Sequence, residues 1–149
     1  GGGDEGRSSC VTVSGRQCYD EDKLVVSSNP QEVANLESTD SSLAWTSSSL
    51  GRRGKHWVQF TMRSAVALSY IGVVVSKDDG DLCPRELQVM AGEEEASLRV
   101  IGEAQVNPLD LSEGPGEVVL LHEPEEAFQV YRVCMEGPET NVRARGLVV

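Results

Sequence analysis

Two clusters of opposite charge are the first residues in this chain that could do chemistry. Arg52, Arg53, Lys55 and His56 form a dense basic stretch in a protein whose 24 acidic residues outnumber 13 Lys and Arg and leave a net charge of −11. Guanidinium forks hold carboxylates through paired hydrogen bonds, so this stretch offers an acidic or phosphorylated peptide something to meet. A solvated basic loop is the plainer use of the same residues. The acidic counterpart is Asp78, Asp79 and Asp81, interrupted by Gly80. Carboxylates so spaced could bind a metal, serve as a base or contact a basic partner. Their plainer use is an acidic turn whose Asp side chains bond to nearby backbone. The glutamate run at 93–95 and the stretch 123–126 read as solvated turns.

Metal and covalent chemistry find little else to work with. Cys10, Cys18, Cys83 and Cys134 contain no CxxC pair, and the histidines are His56 and His122. A closed zinc site wants four such ligands, usually in close pairs. There is no GxSxG elbow, no HExxH, no phosphate-binding loop and no GxGxxG opening a helix. Cys83 precedes Pro84 in a turn, with no base fixed beside it by the sequence. No catalytic residue, metal or cofactor is therefore expected. Cys134 lies in an alternating apolar run and reads as a small buried hydrophobe, which favours a reducing compartment, cytosol or nucleus. A Cys10 to Cys18 disulfide stays open.

An acidic chain with pI near 4.6 has the wrong sign for a phosphate backbone, so neither nucleic acid nor an anionic membrane is expected as a partner. The longest mostly apolar stretch, 65–75, is far short of the ~20 residues that span a bilayer. The N-terminal Gly-Gly-Gly-Asp-Glu-Gly has neither an initiator Met nor the basic and apolar regions of a secretory signal, and reads as the start of an excised fragment.

The elements that must position these clusters read as strands. At 149 residues the chain is sized for one domain. Residues 1–23 are rich in Gly, Ser, Asp and Glu and read as a flexible or loosely docked extension. From residue 24 onward short apolar runs recur at 24–28, 56–62, 66–76, 86–91, 98–101, 117–122, 128–136 and 146–149, and none keeps helical periodicity for three turns. Pro84, Pro108, Pro115 and Pro124 fall between the runs, where a missing amide does a ladder no harm. Within 128–136 both faces are partly apolar, as in a strand inside a sheet. The expectation is an all-β sandwich of about eight strands with Trp45 and Trp57 as core anchors. Loops at 40–55, 77–84 and 137–145 carry the charged groups, and the sheets beneath would hold them in place.

Taken in order, Val26-Ser27-Ser28, Ala34-Asn35-Leu36, Asp40, Ala44-Trp45-Thr46-Ser47 and Gly54-Lys55-His56-Trp57-Val58-Gln59-Phe60 form a recognisable series. Asp79-Gly80-Asp81-Leu82-Cys83-Pro84, Leu87-Gln88-Val89-Met90-Ala91-Gly92 and Arg143-Ala144-Arg145-Gly146-Leu147-Val148-Val149 continue it. This series resembles the DOC domain, named after a subunit of the anaphase-promoting complex, within the galactose-binding-like jelly rolls. It covers about 24–149. Ser38 and Thr39 stand where the family has Asp-Gly, Ala44 replaces an aromatic and Thr46 a Gln, and losing that Asp removes an oxygen that calcium in relatives of this fold would want.

The resemblance implies a non-catalytic module of a multidomain ubiquitin ligase of HECT or cullin type, engaging a substrate degron or the ligase's other domains. It implies a partner-binding set of Ser47, Arg52, Arg53, Lys55, His56, Asp78, Asp79, Asp81, Asn141, Arg143 and Arg145. The alternative is a carbohydrate-binding jelly roll, which usually stacks sugars on aromatic faces that are scarce here once the tryptophans enter the core.

Overall fold

The structure, a computed structural model, describes residues 24–38, 40–48, 56–121 and 126–149. The extension at 1–23, and with it Cys10 and Cys18, lies outside the described residues, as do His122 and Pro124.

Ten strands occur among the described residues: β1 (Val25–Val26), β2 (Trp45–Thr46), β3 (His56–Val66), β4 (Ile71–Ser76), β5 (Glu86–Gly92), β6 (Arg99–Gln105), β7 (Pro115–Leu121), β8 (Phe128–Glu136), β9 (Arg143–Ala144) and β10 (Gly146–Val148). All eight apolar runs fall on strands, and the run at 66–76 is split by a turn between β3 and β4. The two further strands, β2 and β9, are only two residues long. A five-stranded antiparallel sheet in the order β1-β3-β8-β5-β6 packs on a three-stranded sheet ordered β10-β4-β7, and β2 pairs with β9. Pro115 opens β7, the first residue of an edge strand, where its missing amide is tolerated.

Alternation puts Val58, Phe60 and Met62 of β3, Val89 and Ala91 of β5, and Tyr131, Val133 and Met135 of β8 into the core. Phe60 stacks on Tyr131 with ring centroids 5.6 Å apart, and Phe128 meets the same ring edge-on. Where β6 crosses β7, a Cβ on Gly102 would lie 2.4 Å from the Leu120 carbonyl oxygen, so only glycine lets the two backbones approach.

One core expectation is corrected. Trp45 is fully buried, but Trp57 is one strand position out of phase with Val58 and Phe60 and lies half-buried on the outer face of the five-stranded sheet. The Arg132 guanidinium sits 4.1 Å from its ring centroid. Arg132 also bonds to Gln59 and pairs with Glu95. Cys134, cross-strand from Trp57, is half-buried on this face beside Met90, not in the core. Cys83 is a buried free thiol.

Candidate functional site

The site is built on the β2–β9 pair, whose register sets Arg143 opposite Thr46 and Ala144 opposite Trp45. Trp45 fixes β2, because its indole is buried and its Nε1–H donates to the Ser28 carbonyl at 2.8 Å. A 3₁₀ helix, Pro30–Glu37, holds the segment from outside. In a 3₁₀ helix residues three apart eclipse one another, as Glu32 and Asn35 do, and Asn29 caps the helix just before them. Asn29 Nδ2 donates to the Thr46 carbonyl at 2.6 Å, Glu32 Oε1 accepts from the Thr46 amide at 3.0 Å, and Asn35 Nδ2 donates to the Ala44 carbonyl at 2.7 Å. Asn29 takes the left-handed conformation, φ 53°, which asparagine tolerates better than most residues.

The chain then passes under the last loop. Ser47 is buried, its Oγ accepts from the Val142 amide at 2.8 Å, and its own amide donates to the Val142 carbonyl at 2.9 Å. Its hydroxyl therefore latches two loops together instead of facing a partner. His56 is buried too, and its Nε2 lies 2.7 Å from the Thr140 carbonyl. A carbonyl only accepts, so Nε2 carries the proton and His56 anchors the same loop.

Asp79 is the hub. It lies in a 3₁₀ turn, Lys77–Leu82, whose Gly80 at φ 62° needs the freedom of glycine. The Asp79 side chain is 2% exposed, although its backbone is more open. Arg145 grips it through both carboxylate oxygens, Nε to Oδ2 at 3.0 Å and Nη2 to Oδ1 at 2.6 Å. The remaining Arg145 nitrogen, Nη1, donates to the Ser41 and Ser42 carbonyls at 3.0 and 3.4 Å. This bidentate bond raises the Arg145 pKa further above the arginine range. Arg143 reaches Asp79 less closely, Nη1 to Oδ1 at 3.3 Å, and its Nε donates to Thr46 Oγ1 at 2.9 Å.

The structure thus brings Ser47, His56, Asp79, Arg143 and Arg145 into one network that joins segments 40–48, 77–82 and 139–145. Asp78 and Asp81 are exposed on the 3₁₀ turn, and Asp81 pairs at 3.5 Å with Arg85. Asn141 is half-exposed, and its side chain makes no hydrogen bond among the described residues. Arg52, Arg53 and Lys55 lie outside the described residues. Sequence reasoning did not select Asn29, Glu32 or Asn35, although their three-residue spacing was there to be read.

The architecture defines the class: a galactose-binding-like jelly roll. Solved structures share it at a sequence identity that speaks for the fold alone. The carbohydrate-binding module CBM32 of AlyQ, in complex with 4,5-unsaturated mannuronic acid, superposes with a TM-score of 0.64 at 13% identity, covering 88% of this chain and 95% of that one. The CBM32 of C. perfringens NanJ with galactose gives 0.63 at 11% identity over 85% and 90% of the two chains. An F5/8 type C domain from Bacteroides fragilis gives 0.61 at 12% identity over 89% and 91%.

The sequence relatives are more particular. Human Cullin-7 is 24% identical over 147 residues, which is 96% of this chain and 8% of the human protein. Mouse Cullin-7 is 27% identical over 132 residues, 86% of this chain and 7% of its own. Human Cullin-9 is 24% identical over 147 residues, 96% of this chain and 6% of its own. This chain spans less than a tenth of the curated relatives it matches. No family profile matches it. The cullin similarity and the jelly-roll fold are together consistent with a DOC domain.

Proposed function

We propose that the chain is a non-catalytic recognition module of a ubiquitin ligase in the cytosol or nucleus, and that it engages a protein or peptide through the end formed by residues 46–48, 77–82 and 139–143. The observation that carries the ligase context is similarity to Cullin-7 along 96% of the chain. The geometry supports the choice of end. Three loops distant in sequence are tied there by buried and part-buried hydrogen bonds, so groups on its rim are pre-ordered and lose little freedom on binding. Asp78, Asp81, Asn141 and Arg143 are those rim groups, and Arg52, Arg53 and Lys55 belong to the same proposed set by their place in sequence.

The test is removal of residues 24–149 from the ligase that carries them. Transfer of ubiquitin to substrate should fall while self-modification of the ligase persists. Loss of both, or of neither, contradicts the recognition reading. The jelly-roll neighbours with bound sugars support a second reading, carbohydrate binding, and saturable capture of a glycan by the isolated chain would favour it.

A further inference from the structure

The Asp79 network holds two guanidiniums around one carboxylate. Arg145 is the closer partner of that carboxylate, taking both oxygens at 2.6 and 3.0 Å, and its own last nitrogen is spent on the Ser41 and Ser42 carbonyls. Its side chain is 18% exposed. Arg143 is left with the longer 3.3 Å contact and a neutral anchor, the Thr46 hydroxyl, and its side chain is 33% exposed. Both Nη2 hydrogens of Arg143 lack a partner among the described residues. Glu32, the carboxylate bonded to the Thr46 amide, forms no ion pair with it. A guanidinium whose neighbouring carboxylate is already matched carries an uncompensated charge, and here the charge is held at a fixed angle at the solvent surface. Asn141, two residues back and partly exposed like Arg143 with the buried Val142 between them, adds a carboxamide with no hydrogen-bond partner among the described residues.

We propose that Arg143 is the anion-reading residue of this end, taking a carboxylate of an acidic peptide on its Nη2 edge while Asn141 bonds to the adjoining peptide group. The inference rests on the reading of this end as the recognition face and makes it more specific. It also reverses one expectation for the site. Asp79 is not offered to a basic partner group, because two guanidiniums already enclose it. The stem of Arg143 is pre-ordered by Thr46 and Asp79, so a planar, paired contact forms with little loss of rotamer freedom.

The experiment reads arginine side-chain resonances in the isotopically labelled full chain at low salt. Capped tetraglutamate is the probe and capped tetraglutamine the control. Tetraglutamine with a free C-terminus tests a chain-terminal carboxylate, and a capped phosphoserine peptide tests phosphate. The Arg143 guanidinium signals should move with tetraglutamate, with or without a response to the free C-terminus, and stay still with the capped control. Those of Arg145 should hardly shift. Arg143→Gln should weaken tetraglutamate binding by about tenfold or more, the loss expected for a charge-assisted pair. Stationary Arg143 signals with both carboxylate probes, a response to phosphoserine alone, or equal movement of Arg63, Arg85 and Arg132 would overturn the proposal. Because the readout is peptide binding by the chain itself, failure here leaves the ligase deletion assay to judge the broader reading separately.

Discussion

Two regions of this molecule use a tryptophan, arginine and carboxylate in opposite ways. At the β2–β9 seam Trp45 is fully buried, Asp79 is enclosed, and Arg145 bonds bidentately, so burial and polar bonding reinforce one arrangement of three loops. On the outer face of the five-stranded sheet Trp57 is half-buried, Arg132 lies over its ring, and the partner Glu95 side chain is 64% exposed. The arginines of the two regions are similarly covered, but here the carboxylate stands in water, where charge pairs contribute little and salt weakens them. The difference separates a region whose polar groups specify shape from one whose polar groups dress a surface.

Substitutions that delete the seam should have the largest effects. Trp45→Ala is expected to destabilise the fold by about 3–5 kcal/mol, through a core cavity and an unpaired Ser28 carbonyl. A denaturant titration checks this, and a loss no larger than that of Trp57→Ala would erase the contrast.

Asp79→Asn should cost about 3 kcal/mol, because it leaves guanidiniums without their buried counter-charge. The loss should change little between low and high salt. A strongly salt-dependent loss would place Asp79 with the exposed pairs.

Trp57→Ala is expected to cost about 1–2 kcal/mol, from partial burial and the cation–π contact, with cooperative unfolding retained. The sequence had pointed to a core penalty for this residue, and the outer-face position removes it. Breaking the exposed Asp81–Arg85 pair should cost below about 0.5 kcal/mol and nothing at high salt.

A pH titration extends the contrast. Burial raises the pKa of the Cys83 thiol above 9.0 and of the Tyr131 hydroxyl above 10.0 in the folded chain, while the unfolded chain ionises at its ordinary values. The unfolded state then binds fewer protons as pH rises, so stability is full below about pH 9 and falls from there upward. Cys83→Ala should delay the onset of that fall. An onset below pH 8 would point to a different group.

Short recurring apolar runs bounded by turn residues made the strands readable, because each run of 24–149 had to bury at least one face. The β2–β9 pair was not, since neither of its two-residue strands, Trp45–Thr46 and Arg143–Ala144, lies in an apolar run. Trp57 was misplaced by weighing its size over its phase: Val58, Phe60 and Met62 define the inward register, and position 57 lies between inward positions. Asp78, Asp79 and Asp81 look equivalent in sequence. Only the return of Arg143 and Arg145 from the far end of the chain makes Asp79 internal and leaves its neighbours exposed. Charge reversal at Arg143, harmless on a free loop, would set a carboxylate against Asp79, so Gln is the substitution that keeps the seam.

The measurement that bears most directly on the account is hydrogen exchange of the full chain, free and within its ligase–substrate assembly. Protection gained on assembly should concentrate at residues 46–48, 77–82 and 139–143, with Arg143→Gln reducing it there. Protection gained instead on the outer sheet face, at 57–61, 88–91 and 132–134, would contradict the account.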